Sequence, residues 1–327
     1  MRGAAVACGL VLAAAAPCAG QTHLVIVSGL GGDPQYTEAF YQWGAALADA
    51  ASKLGVPDTN IFFLAENPER DRRIAGAPTR EEVARVLSRL EGKVQGQRSA
   101  LWIVLIGHGS DRGEPRLSLP GPDLSARELG QMLERFSGAR VAVINTASAS
   151  GGFLPVLSRP GRVVVTATRS GFEQNQTLFP KFFSEAFSGT GADLDKDGRI
   201  SLLEAFVYAR ESVRRYYEAD QRLLTEHAML DDDGDGAGTD QPSESEGDGV
   251  LAARMFLDAG VLPEAMVADA ELAALLARKD SLEARIAELR SVRGAMAQGE
   301  YEKRLEELLV ELALVDRAIR ERGGRDR

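Results

Sequence analysis

Five short runs of aliphatic and β-branched residues have no polar face: HLVIVSG (23–29), NIFFLA (60–65), ALWIVLIGHG (100–109), RVAVINTA (140–147) and RVVVTAT (162–168). A strand that is apolar on both sides must be covered on both sides, which points to a largely parallel sheet held between helices. The segments between the runs supply those helices. TEAFYQWGAALADAASKLG (37–55), TREEVARVLSRLEGK (79–93) and SARELGQMLERF (125–136) have helical spacing, and Thr79 with Glu82 has the spacing of a capping box. The alternating order, from His23 to about residue 190, predicts a parallel, doubly wound α/β sheet between helices, the heart of a three-layer α/β/α domain over residues 21–249. Loops at the carboxyl ends of such strands are where function collects.

Beyond residue 178 the strand-like runs stop. Residues 231–249, DDDGDGAGTDQPSESEGDG, are rich in Asp, Gly and Ser and read as a solvated acidic loop. The remainder, 250–327, reads as a C-terminal helical hairpin, coiled-coil-like and separable from the sheet. Its two halves carry Leu275, Leu282, Ile286 and Leu289, then Leu305, Leu308, Leu312, Val315 and Ile319, at three- and four-residue spacing. Such a hairpin packs on itself or docks on a protein or peptide partner.

At the other end, MRGAAVACGLVLAAAAPCAG (1–20) has one Arg, an apolar run too short to span a bilayer, and small residues where a peptidase would cut. This predicts a signal peptide cleaved after Gly20, a secreted or periplasmic product, and no transmembrane segment after cleavage. Lipidation at Cys18 is the weaker reading, because Ala15-Ala16-Pro17 is a poor lipidation site. The chain's two cysteines, Cys8 and Cys18, both lie in this segment, so the mature chain is expected to lack disulfides and a thiol nucleophile. Lys and Arg number 38 against 48 Asp and Glu, a net charge of −10. With no long basic block, that balance argues against a nucleic-acid partner.

DLDKDGRISLLE (193–204) satisfies the EF-hand calcium-loop pattern. Asp193, Asp195 and Asp197 hold loop positions 1, 3 and 5. Gly198 holds position 6, Ile200 position 8 and Glu204 position 12. Arg199 would lend its carbonyl, and Ser201 would bind directly or through water. Carboxylates gathered this closely repel unless a hard cation lies among them, so calcium (Ca2+) is the expected ligand. A second run places Asp231, Asp233 and Asp235 before Gly236, but Pro242 stands where position 12 needs a carboxylate. A solvated loop and a second calcium site both stay open there.

Two further loops follow buried strands. LWIVLIGHGS delivers His108 and Gly109, and VAVINTASASGG delivers Ser148. An imidazole and a hydroxyl at one sheet edge, with the N–H groups of Gly109 and Ser148 available to an oxyanion, suit hydrolysis. A histidine after a strand also serves as a plain structural hydrogen-bonding residue, and both readings stay open on the residues alone.

With HLVIVSGLGG at the front, HGS after the third strand and TASASGG after the fourth, residues 23 to about 240 resemble the caspase-like cysteine peptidases. The legumain and GPI-anchor transamidase branch is the most similar. The resemblance implies a caspase-like sandwich, a catalytic histidine in an H-G motif matched by His108-Gly109, and a nucleophilic cysteine in an A-C-x-S-G motif. The second motif here is Ala147-Ser148-Ala149-Ser150-Gly151, so serine stands where the family has cysteine. Bacterial secreted members with a calcium loop agree with Asp193 to Glu204, and Arg169 is a substrate-pocket candidate. The hairpin lies outside the resemblance. A thiolate works with a loosely placed imidazole, whereas a serine hydroxyl needs a tightly bonded base held by a third group. Asp111, three residues past His108, is poorly placed for that. The expectation is a calcium-binding pseudopeptidase acting as an interaction or scaffold protein. The alternative is a serine hydrolase with Ser148 as nucleophile and His108 as base.

Overall fold

The computed structural model describes residues 21–94, 99–136, 138–258 and 296–323, together with residues 275, 278, 279, 281, 282, 285, 286 and 289. The expected signal segment, 1–20, lies outside the described residues.

The apolar runs form the centre of a seven-stranded sheet in the order β10-β9-β8-β4-β1-β2-β3. Its strands are β1 (Thr22–Ser28), β2 (Ile61–Leu64), β3 (Ile74–Gly76), β4 (Ala100–Ile106), β8 (Arg140–Asn145), β9 (Arg162–Thr166) and β10 (Met229–Asp231). Neighbours from β3 to β9 are parallel, and β10 joins β9 antiparallel. Three short strands, β5 (Gly109–Asp111), β6 (Pro115–Leu117) and β7 (Leu124–Ser125), form a separate antiparallel sheet.

Alternation along the strands divides the core into two layers, as the period of two requires. Leu24, Ile26, Trp102, Val104, Ile144 and Val165 face α1 (Pro34–Lys53), α5 (Phe179–Ala186) and α6 (Leu202–Ala219). Val25, Val27, Leu101, Ile103, Val143 and Val164 face α2 (Arg80–Leu90), α3 (Ala126–Leu133) and α4 (Leu154–Leu157). The protein is thus a three-layer α/β/α sandwich with a mainly parallel sheet. Helix starts follow the sequence: Asp33 caps α1, Thr79 caps α2, and Ser125 with Glu128 closes a full capping box on α3.

Two features depart from the pattern of the sequence. Ala252, Met255 and Leu257 pack into the α1–α5–α6 layer, so the α/β body runs past residue 249. The acidic stretch expected as a solvated loop is also tied down. The Asp232 carboxylate accepts the N–H groups of Gly249, Leu251 and Ala252, and Thr239 exchanges both backbone hydrogen bonds with Leu230 of β10. Sequence composition marks such a stretch as polar, but backbone donors gathered around one carboxylate order it.

The C-terminal helix α7 (Gln298–Gly323) is present, and the described residues from 275 to 289 are helical. Leu282, Ile286 and Leu289 pack with Tyr301, Leu308, Val315 and Ile319 in a cluster separate from both sheet layers. Arg278 pairs with Glu311 across the two segments. The expected hairpin residues 259–274 and 290–295 lie outside the described residues.

Glu226 is the buried carboxylate that ties α5 to α6. It is 4% exposed and accepts the Leu178 and Phe179 N–H groups at the start of α5, and the Tyr217 hydroxyl of α6 donates to it. Burial raises its pKa to about 7, against the pull of those N–H bonds. A raised carboxylate pKa means that the folded state holds a proton the unfolded state has released. Stability therefore falls as pH rises from about 4.5 to 7. Chemical denaturation across that range should show this fall, and Glu226→Gln should flatten it.

Candidate functional site

His108 and Ser148 emerge from the carboxyl ends of adjacent strands, β4 and β8. The chain after β8 turns sharply. Ala149 holds a left-handed backbone, φ 52°, and leads into a 3-10 turn over Ser150–Phe153. A non-glycine residue there is costly unless its surroundings hold it. The holding bonds are visible: the Ala149 N–H donates to the Glu173 carbonyl, and Ser150 Oγ accepts the N–H groups of Ala167 and Thr168 beyond β9.

Ser148 is buried at this edge, with a backbone donor on its hydroxyl. The residue is 2% exposed. The Gly109 N–H, expected as an oxyanion donor, points at Ser148 Oγ at 3.1 Å. His108 and Ser148 come to the same edge, yet no hydrogen bond joins the imidazole to the hydroxyl. The His108 ring is half-buried instead, with the rings of Tyr36 and Phe40 edge-on at 4.8 and 5.1 Å. Burial lowers its pKa, and a backbone contact with Gly31 opposes the shift. A neutral imidazole suits a base, but a base must reach the proton it takes.

Among the described residues no carboxylate bonds the imidazole either. Asp111 lies on β5, where its Oδ1 accepts the Gly113 N–H. Its Oδ2 nestles against Gly152 and Gly171, so close that a Cβ at either glycine would lie 2.5 Å from it. Arg169 bonds Asp240 and is half-exposed.

The acidic residues of the 193–204 loop converge. Carboxylate oxygens of Asp193, Asp195 and Asp197 lie within 4.8 Å of one another. The Gly198 N–H donates to Asp193, the Asp197 N–H to Asp195 and the Arg199 N–H to Asp197. Gly198 has φ 85°, where a side chain would strain the turn. Glu204 is 9% exposed and closes the loop: Oε1 accepts the Leu194 N–H, and Oε2 accepts the Ser201 N–H and hydroxyl. Ser201 is also the N-cap of α6. The Arg199 guanidinium pairs with Asp258 and stacks over Phe256. Asp193 Oδ1 is buried with no hydrogen-bond partner. Burial and mutual repulsion raise the pKa of Asp197 to about 6 and also push up those of Asp193 and Glu204. An orphaned oxygen among hard, oxygen-only donors suits a metal ion. The acidic set could hold a metal ion.

Asp231, Asp233 and Asp235 converge likewise within 4.8 Å. Asp231 is fully buried and accepts the Ser158 hydroxyl and the N–H groups of Gly234 and Gly236. Asp248, seventeen positions beyond Asp231, reaches this loop and accepts the Asp232 and Asp233 N–H groups. Spacing rules looked to position 242 and had no way to find it.

Sequence reasoning also missed the Glu173–His227 pair, joined at 2.6 Å beside the Ala149 turn. It missed Lys279, whose Nζ lies 3.3 Å from Asp195 and 3.7 Å from Asp197. Neither belongs to a motif, so only a fold could reveal them.

No family model matches the chain, and no curated protein does. Among solved structures the chain is similar to caspase-1 from Spodoptera frugiperda, at 11% identity and a TM-score of 0.44, over 66% of this chain and 87% of that one. Among the described residues no helix is long and apolar enough to cross a membrane.

Gly109 tests the site's packing. A Cβ there would be driven into the Ser148 carbonyl oxygen, which is backbone and has little room to yield. Gly109→Ala should cost about 1–3 kcal/mol or more in chemical denaturation. Gly189→Ala, which meets nothing within 4 Å, should be close to neutral.

Proposed function

We propose that this chain is an exported, caspase-like pseudopeptidase that binds calcium at Asp193–Glu204 and acts through contacts with a protein or peptide partner. One observation carries the loss of catalysis: Ser148 Oγ is buried and held by the Gly109 N–H, with no bond to His108. A hydroxyl is activated only by a base within hydrogen-bond reach. The H-G and A-S-A-S-G motifs support the family reading, because they match its pattern everywhere but at the nucleophile. The first 20 residues support export.

In this reading the calcium ion stabilises a fold whose own carboxylates oppose one another. Asp193, Asp195, Asp197 and Glu204 supply its carboxylate oxygens, and the Arg199 carbonyl and Ser201 complete the set. Extracellular sites commonly bind in the range of about 10⁻⁴–10⁻³ M. Millimolar calcium should therefore raise the melting temperature of the wild type, and Glu204→Gln should abolish the rise. An unchanged melting temperature would remove calcium from the proposal.

The catalytic half is tested with fluorogenic peptides bearing Asn, Asp or Arg before the scissile bond. Wild type should give no turnover, and Ser148→Cys should gain some. A thiol with a pKa of about 8.5 ionises without the tight base that a hydroxyl needs. Wild-type turnover lost in Ser148→Ala would replace this reading with a serine hydrolase.

A further inference from the structure

Lys279 is the feature that neither the fold nor the motifs explain. It is one of the described helical residues between 275 and 289, 84 positions beyond Asp195 of the acidic loop, yet its ammonium sits against that loop's carboxylates. Nζ lies 3.3 Å from Asp195 Oδ2, 3.7 Å from Asp197 Oδ2 and 3.4 Å from Asp316 Oδ1 of α7. Its side chain is only 16% exposed. A lysine is usually solvated, and one held this far from water needs the compensation that these three carboxylates provide.

The same ammonium therefore touches two of the oxygen donors that a divalent cation would take. The two cannot share them comfortably. Calcium demands several oxygens at about 2.3–2.6 Å, and a second positive charge on those oxygens would be repelled. The hairpin's own apolar residues form a cluster separate from the sheet layers. A cavity of about 630 Å³ lies between it and the loop, lined by Asp195, Asp197, Leu203, Phe256, Ile286 and Leu312. The hairpin is thus seated on the body partly through a charge contact beside an imperfectly filled space, which is an arrangement open to displacement.

We propose that Lys279 is an internal stand-in for the cation, and that a divalent ion entering the Asp193–Glu204 loop expels the ammonium and loosens the hairpin's seat on the body. This rests on the calcium reading above and adds its consequence: ion binding and hairpin docking oppose each other. Because such coupling is reciprocal, removing the lysine must tighten the ion as surely as the ion weakens the lysine contact.

The test uses the full chain and calcium alone. Calorimetric titration is run on wild type, Lys279→Met, Lys279→Gln and Lys279→Arg, and amide hydrogen exchange is followed across 275–289 and α7 with and without calcium. The two neutral variants should bind calcium roughly fivefold tighter or more, the lower end of ordinary site-to-site coupling, while Lys279→Arg stays near wild type. Calcium should speed exchange around residues 275–289 in wild type and leave it unchanged in Glu204→Gln. If wild type and the neutral variants bind calcium equally and exchange does not move, the switch is overturned while the calcium loop stands. If neither wild type nor the neutral variants bind calcium at millimolar concentration, the calcium reading itself falls and the switch with it. An exchange response that persists in Glu204→Gln also overturns the switch, because the ion would then act elsewhere.

Discussion

Everything in this molecule depends on four strands that have no polar side. β1, β4, β8 and β9 are buried along nearly their whole lengths, and water is excluded from both faces of the sheet. Helices must cover each face, crossovers must be long enough to carry them, and polar groups can surface only where the strands end. His108, Ser148 and the loop from Arg169 to Glu173 all lie at such ends. Their proximity is a result of topology, and it needs no attraction between them.

Topology brings groups together but does not align them. Around Ser148 the hydrogen bonds serve the turn: Glu173 takes the Ala149 N–H, Ser150 takes two N–H groups from beyond β9, and Gly109 donates to the hydroxyl itself. Each backbone donor is used to hold the chain's path, as buried amides require. The aromatic rings of Tyr36 and Phe40 fix the imidazole from another side. The result is an edge where an imidazole and a hydroxyl come together without a hydrogen bond between them.

The sequence made the large elements legible because their period is their physics. The five apolar runs and three amphipathic segments correspond to β1, β2, β4, β8, β9 and to α1, α2 and α3 within a few residues. The convergence of Asp193, Asp195 and Asp197 was legible for the same reason, because a local spacing code keeps its residues in one stretch. What could not be read depends on distant partners. β10 is three residues long and is a strand only because β9 lies beside it. Asp248 and Lys279 reach acidic loops from elsewhere in the chain, and His227 meets Glu173 across 54 positions. No window along a sequence contains such a pair.

The return of the acidic stretch onto β10 has a further consequence. An outermost strand with free N–H and C=O groups is a template on which another chain can add. Here Thr239 occupies both backbone groups of Leu230, and the exposed Asp233 and Asp235 of the following turn bring negative charge beside it. At the opposite margin β3 ends after three residues. The sheet is closed to strand-by-strand polymerisation at one side by a covalently attached, like-charged fringe and at the other by brevity. The acidic stretch thus covers part of an edge that another strand could otherwise extend.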